Sequence, residues 1–127
     1  MISSDFDMAI DFSGRYSRRN GEHGASAEGR MATLIARDEL DSLLAGLDGW
    51  SLSQDGAAIE KTYSFKGFNS AFGFMTRVAM AAERANHHPE WSNIYNRVTI
   101  RWTTHSLGGV SDLDLKLAGS CDRFAGD

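Results

Sequence analysis

The sequence predicts an α+β fold, a four-stranded antiparallel sheet with three helices on one face, in the order α-β-β-α-β-β-α. Three observations predict it. Three segments place apolar residues at helical spacing, other short segments alternate apolar and polar residues, and tight-turn signals join those short segments in pairs. Two hairpins with helices between them indicate an antiparallel sheet covered by helices on one side.

The first helix and the first hairpin occupy residues 33–65. Asp55-Gly56 is a strong hairpin signal between a short strand at 50–53 and a longer alternating strand at 58–65. The helix before them is expected to end at Gly46 or Gly49. Its apolar positions are Leu34, Leu40, Leu43, Leu44 and Leu47.

The second half of the chain repeats this pattern. Asn69 is expected to cap a second helix that runs out at Asn86-His87, because Pro89 disfavours helix at the residue before it. Strands are predicted at 91–95 and 97–104, joined near Asn96. Ser111 followed by Asp114 resembles a capping box that opens the third helix.

Composition restricts the classes of protein that the chain can belong to. At 127 residues it predicts a single domain, and a formal charge of −4 gives no electrostatic footprint for nucleic acid or an anionic membrane. The single cysteine, Cys121, excludes an intrachain disulfide and is interpreted as a small buried hydrophobe. Without an apolar run of membrane-spanning length or a signal-peptide pattern, a cytoplasmic location is expected.

Residues 1–29 differ in composition from the rest and are interpreted as an N-terminal extension, partly disordered and outside the chemistry. The remaining domain is expected to cover residues 30–127. Its chemistry-bearing residues cluster at Glu83, His87 and His88, with His105 further along. Imidazoles are proton donors and acceptors near neutral pH, so this cluster predicts an acid/base site.

Other interpretations of these residues stay open at this point. Glu83 and His87 lie four apart and could form an ordinary surface pair on a helix. The three histidines with Glu83 could be metal ligands by type, but their spacing matches no ligation motif, so no metal is expected. Capping explains Asp114, and core packing is the usual role of a tryptophan such as Trp91 on a strand.

A long spaced motif identifies a family resemblance over residues 32–124. The chain resembles the pterin-4a-carbinolamine dehydratases in Glu83-x-x-x-His87-His88-Pro89-Glu90-Trp91-x-Asn93-x-Tyr95-Asn96, in Thr103-Thr104-His105, in Gly109-x-Ser111-x-x-Asp114 and in the segment from Phe65 to Met75. The resemblance implies the same sheet-and-helix fold. It also implies dehydration of 4a-hydroxytetrahydropterin to quinonoid dihydropterin without a metal or organic cofactor.

The resemblance also assigns roles. His87 and His105 would be the acid/base pair, His88 would bind and orient the pterin, and Glu83 would support His87. The remaining substrate-binding positions would be Asn86, Trp91, Thr103, Thr104 and Ser106, with Trp91 as an apolar wall. Many members carry aspartate at the position of Asn86, and the amide keeps an acceptor while removing a charge.

The resemblance further implies a homodimer or homotetramer and a functional link to an aromatic amino-acid hydroxylase, whose spent pterin the reaction recycles. Animal members also act as coactivators. The alternative function is therefore a non-catalytic protein-binding module on the same fold. The presence of all three histidines favours the enzyme, because a binding module has no need to keep them.

Overall fold

The computed structural model describes residues 8–10, 16–18 and 32–126, and the chain divides after Met31 into two units. In the first unit, strand β1 (Met8–Ile10) pairs antiparallel with β2 (Tyr16–Arg18). The prediction that the extension is partly disordered falls mostly outside the described residues.

The second unit has the predicted order of helices and strands. Its sheet is four-stranded and antiparallel throughout, with the spatial order β3-β4-β6-β5, so the predicted fold class is confirmed. The elements are α1 (Arg37–Leu44), β3 (Ser51–Leu52), β4 (Ile59–Ser64), α2 (Phe68–Ala85), β5 (Glu90–Ile94), β6 (Arg97–Trp102), a 3-10 helix (His105–Leu107) and α3 (Asp112–Ala125).

The central strand β6 shows why the sheet has one covered face. Val98, Ile100 and Trp102 alternate with polar residues and are fully buried, and burying a side chain of this size contributes about 1.5–3 kcal/mol. Helices α2 and α3 supply the opposing core side chains, Ala71, Phe74, Val78, Ala82, Leu117, Ala118 and Cys121. Thr99 and Arg101 belong to the opposite face.

Several element ends differ from the prediction. Helix α2 has Gly67 at its N-cap and begins at Phe68, so the predicted cap at Asn69 is wrong. Leu34 precedes α1 and pairs with Ser111 in an isolated bridge, because the chain there is extended and not helical. Strand β6 ends at Trp102, since Thr104 pairs with Gly109 instead of continuing the ladder.

A polar cluster attaches the last turns of α3 to the sheet. The Asp122 carboxylate accepts hydrogen bonds from Trp50 Nε1 at 3.1 Å, Lys61 Nζ at 2.9 Å and the Tyr63 hydroxyl at 2.5 Å. Burial, and then the hydrogen bond to Asp122, raise the pKa of Tyr63 far above its ordinary value. The hydroxyl therefore stays protonated and donates to the carboxylate.

Two chain segments meet at one end of the sheet. Glu90, the first residue of β5, lies directly opposite Arg101, near the end of β6. Residues 86–89, which precede β5, therefore lie at the same end of the sheet as residues 103–105, which follow β6. The bridge between Thr104 and Gly109 brings the start of α3 to this end as well. Within the described ranges, no helix is both long and apolar enough to cross a membrane.

Candidate active site

The turn that presents the adjacent histidines begins at the end of α2. Asn86 takes the left-handed conformation with φ of 54°, one that asparagine tolerates better than most residues. The amide N–H groups of Asn86 and His87 then donate to the carbonyls of Glu83 and Ala82, the two bonds of a Schellman motif. Helix α2 therefore ends at Ala85, with Asn86 as its C-cap, next to the predicted end at Asn86-His87.

His87 is held by a buried carboxylate. Its Nε2 lies 2.5 Å from Asp114 Oδ1, and the imidazole side chain is 13% exposed while that of Asp114 is fully buried. The ring also stacks on Trp102, with centroids 5.7 Å apart and 15° between the planes. A hydrogen bond and a stacked ring together fix the orientation of this imidazole.

The other oxygen of Asp114 is fully satisfied. Oδ2 accepts from the Ser111 amide at 2.8 Å and from the Thr104 hydroxyl at 2.7 Å. The first of these bonds completes the capping box that the sequence predicts at the start of α3. Because a carboxylate only accepts, Nε2 of His87 is the donor in their bond, and Nδ1 carries the lone pair of the neutral ring.

The His88 imidazole pairs with Glu83. Nε2 lies 2.7 Å from Glu83 Oε1, and the two side chains are 58% and 35% exposed. The predicted support of His87 by Glu83 is therefore wrong. The left-handed turn at Asn86 ends the helix, so the spacing of four no longer places His87 above Glu83.

The third imidazole, His105, lies in the 3-10 helix after β6 and is 82% exposed. Its Nε2 lies 2.9 Å from Glu90 Oε2. Glu90 opposes Arg101 across the sheet, on the face that does not carry the core, whereas His87 stacks on Trp102 of the core face. The two predicted acid/base residues thus contact side chains of opposite faces at the same end of the sheet.

The three histidines share one arrangement. Each imidazole pairs through Nε2 with a different carboxylate, at 2.5, 2.7 and 2.9 Å for His87, His88 and His105. In the described part of the chain, the hydrogen bonds of all three rings go through Nε2. A carboxylate on one ring nitrogen orients the ring and stabilises its charged form when a proton arrives on the other.

The other predicted binding residues have structural contacts of their own. Thr104 contacts Asp114, Thr103 donates to the Ala57 carbonyl at 2.6 Å, and Trp91 packs against the core. Asn86 and Ser106 are exposed. Among the described residues, no hydrogen bond joins the three imidazoles to one another or through a common partner. Their convergence on one ligand stays a prediction.

Metal ligation has no evident centre in the part of the chain that the structure covers. No group of three or more histidine, cysteine or acidic side chains there could hold an ion. Each of the three site histidines, His87, His88 and His105, instead has its own carboxylate on Nε2. The expectation that the chemistry needs no metal stays a prediction.

Glu90 and the second role of Asp114 were missed by sequence reasoning. Capping accounts for only one oxygen of Asp114, because a capping box uses a single carboxylate oxygen. The second oxygen, which a capping box leaves without a partner, was the available signal. Glu90 follows Pro89 at the start of β5. Only the pairing of β5 with β6, which places Glu90 opposite Arg101, identifies the side chains near Glu90. Neither contact with a histidine is local in sequence.

The fold and these histidine–carboxylate pairs define an α+β domain with an imidazole-rich site at one end of its sheet. The sequence profile described as pterin 4 alpha carbinolamine dehydratase matches residues 33–124. The match covers the four-stranded sheet, α1, α2, all but the last residue of α3, and all three site histidines. The chain belongs to this family.

Similar proteins agree with the family match. A protein from Chelativorans sp. (strain BNC1), named provisionally as a pterin-4-alpha-carbinolamine dehydratase, is 48% identical over 91 residues, covering 72% of this chain and 93% of the relative. A Mesorhizobium japonicum protein with the same provisional name is 46% identical, covering 72% and 94%. The crystal structure of a transcriptional coactivator/pterin dehydratase from Brucella melitensis superposes with a TM-score of 0.71 at 42% identity, covering 73% of this chain and 99% of that one.

Proposed function

We propose that this chain is a 4a-hydroxytetrahydropterin dehydratase, which converts the 4a-carbinolamine to quinonoid dihydropterin and water. The observation that carries the proposal is the set of three imidazoles, each oriented by its own carboxylate, in a chain of this family. Family membership supplies the substrate class. The geometry supplies groups suited to the chemistry.

The reaction needs one proton donor and one proton acceptor. The bond from carbon 4a to its hydroxyl breaks with both electrons leaving on oxygen, and a proton added to that oxygen makes water. A ring nitrogen loses a proton, and its electrons form the new double bond to carbon 4a. Atoms and electrons balance without an oxidant or a reductant, so a general acid and a general base are sufficient.

His87 and His105 are the proposed acid/base pair. The Asp114 and Glu90 carboxylates leave Nδ1 as the atom that exchanges protons in each ring. One ring donates to the departing hydroxyl while the other accepts from the pterin nitrogen. The proton gained by the base replaces the one lost by the acid, so the site returns to its starting state after exchange with water.

His88 is proposed to bind and orient the pterin, with Glu83 holding its ring. Asn86, Thr103, Thr104 and Ser106 would supply polar contacts to the substrate around it. Trp91 would supply an apolar wall. No metal or organic cofactor takes part in this proposal.

The cellular setting is part of the same proposal. A dehydratase of this kind would act in the cytoplasm and recycle the pterin that an aromatic amino-acid hydroxylase has used. Association into a homodimer or homotetramer is proposed from the family. Sedimentation at several protein concentrations measures the assembly, and a concentration-independent monomer contradicts it.

The decisive experiment is the breakdown of synthetic 4a-hydroxytetrahydropterin, followed by absorbance with and without the purified protein. The expected result is acceleration that His87→Ala and His105→Ala each remove. His23→Ala is the matched control, because His23 is the remaining histidine and lies outside the family match. No acceleration by the folded wild-type protein would contradict the proposal and favour a non-catalytic binding module.

A further inference from the structure

Arg101 lies at the centre of a charged network on the uncovered face of the sheet. It is directly opposite Glu60 of β4 on one side and Glu90 of β5 on the other. Residues directly opposite each other on adjacent strands point to the same face, so both carboxylates flank the guanidinium. Asp55, from the turn after β3, reaches the same group.

The guanidinium gives one nitrogen to each carboxylate. Nε donates to Glu90 Oε1 at 2.9 Å, Nη1 to Glu60 Oε2 at 2.9 Å and Nη2 to Asp55 Oδ2 at 3.3 Å. The arginine side chain is 27% exposed, less than any of its three partners. A planar group with three occupied edges cannot rotate without breaking several bonds at once.

Glu90 connects this network to the proposed site. Its Oε1 accepts from Arg101, and its Oε2 accepts from His105 Nε2. His105 is 82% exposed and Glu90 46%, and an exposed pair of this kind holds its geometry poorly by itself. A carboxylate already fixed at one oxygen by a rigid arginine presents the other in a defined direction.

We propose that Arg101 is a positioning residue for His105, acting through the Glu90 carboxylate. The inference rests on the proposed function, because that proposal gives His105 its role in proton transfer. Arg101 fixes the carboxylate that orients His105, just as burial fixes the Asp114 carboxylate that orients His87. Arg101 touches neither imidazole, and its effect on the reaction passes through Glu90.

Arg101→Lys is the sharpest variant, because it keeps the positive charge and removes the planar fork. We expect kcat to fall by about 10-fold with KM nearly unchanged, since a misplaced proton-transfer group weakens the transition state more than substrate binding. Arg97→Lys is the matched control. Arg97 lies on the same strand and face, and among the described residues its side chain makes no hydrogen bond.

A double-mutant cycle separates positioning from a structural effect. If Arg101 acts through Glu90, then Arg101→Lys lowers kcat in the wild-type background and has no further effect in the Glu90→Gln background. Equal losses of kcat in both backgrounds would overturn the proposal. Thermal unfolding of each variant verifies that the kinetics are those of folded protein.

A measurement without turnover separates this inference from the proposed function. Relaxation of the His105 ring, measured by NMR on its Cε1–H group, is expected to show an ordered ring in the wild type and in Arg97→Lys. The ring should be more mobile in Arg101→Lys. Equal ring mobility in all three proteins would overturn the positioning role, whereas ordered rings in a wild type without dehydratase activity would overturn the proposed function alone.

Discussion

The His87 pair and the His105 pair use the same chemical groups in opposite environments. The Asp114 carboxylate is fully buried and receives three donors, from His87, Thr104 and Ser111. The Glu90 carboxylate is 46% exposed and is shared between His105 and Arg101. One imidazole is thus oriented by the core, and the other by a surface network of charges.

This difference has an energetic consequence. A buried carboxylate oxygen that loses its donor stays desolvated and unpaired, which costs about 1–3 kcal/mol, or more when the group is charged. An exposed carboxylate that loses a partner is hydrated instead, and the pair contributes only about 0–1 kcal/mol. Stability and catalysis should therefore be coupled at the His87 pair and separable at the His105 pair.

The largest expected effects are kinetic and come from the imidazoles. His87→Ala and His105→Ala should each lower kcat by about 10²–10⁴-fold, the usual contribution of a positioned acid or base. His88→Ala should act mainly on KM, because its proposed part is to hold the pterin in ground and transition states alike. Steady-state kinetics on folded variants measures both constants.

The same variants test the comparison between the two pairs. His87→Ala should also lower the free energy of unfolding by about 1–3 kcal/mol, because it removes the donor to Asp114 Oδ1 while Thr104 and Ser111 still donate to Oδ2. His105→Ala should change that free energy by less than about 0.5 kcal/mol. Equal losses in urea unfolding would show that burial of Asp114 does not distinguish the two pairs.

Replacing either carboxylate is expected to lower the rate slightly less than removing its imidazole does, and to have a clear effect on stability only at the buried Asp114. Asp114→Asn removes the acceptor of two buried bonds and places an amide N–H₂ among donors, so we expect a loss of roughly 2–4 kcal/mol. Glu90→Gln should stay within about 0.5 kcal/mol. Asp112→Asn is the control on the first turn of the same helix, since Asp112 is exposed.

Much of the fold could be predicted from the sequence because the signals are local. Alternation placed Val98, Ile100 and Trp102 on the core face, and a proline two residues after His87 indicated the end of α2. The cap at Gly67 was missed because it makes no side-chain hydrogen bond, and the sequence offered Asn69 as the better capping residue. Local sequence signals were therefore sufficient to predict the order of the elements. The exact residues at which the elements begin and end depend on contacts with distant parts of the chain.

The candidate site was harder to predict because its partners are distant in sequence. His87 and Asp114 are 27 residues apart and meet only through the packing of α3 on the sheet. The left-handed conformation of Asn86 turned His87 away from Glu83 and brought His88 to it. Residue types identified the imidazoles, whereas the assignment of a carboxylate to each needed the folded chain.

Burial in the core can also be tested by thiol chemistry. Cys121 is 1% exposed, and burial raises the pKa of its thiol to about 12. A thiol-specific reagent at pH 8 should therefore label the native protein slowly, at a rate set by opening of the structure. Asp114→Asn should speed labelling more than Glu90→Gln, and equal rates would contradict the difference between the two pairs.

The smallest expected effect lies at the far end of the exposed network, at Asp55. The Ser53 hydroxyl, the Ala57 amide and then Arg101 lower the pKa of Asp55 to about 2 from an ordinary 3.8. Folding thus favours the ionised carboxylate. Its contribution to stability is complete above the unfolded value and is lost as the pH falls through about 2.

The titration of the Asp55 carboxyl carbon by NMR measures this directly. Ser53→Ala should raise the titration midpoint more than Arg101→Gln does, because the hydroxyl is the larger cause of the shift. Arg97→Gln is the control and should leave the midpoint in place. If Arg101→Gln moves the Asp55 midpoint more than Ser53→Ala does, the guanidinium is the main cause of the lowered pKa. Arg101 would then interact more strongly with Asp55 than with Glu90.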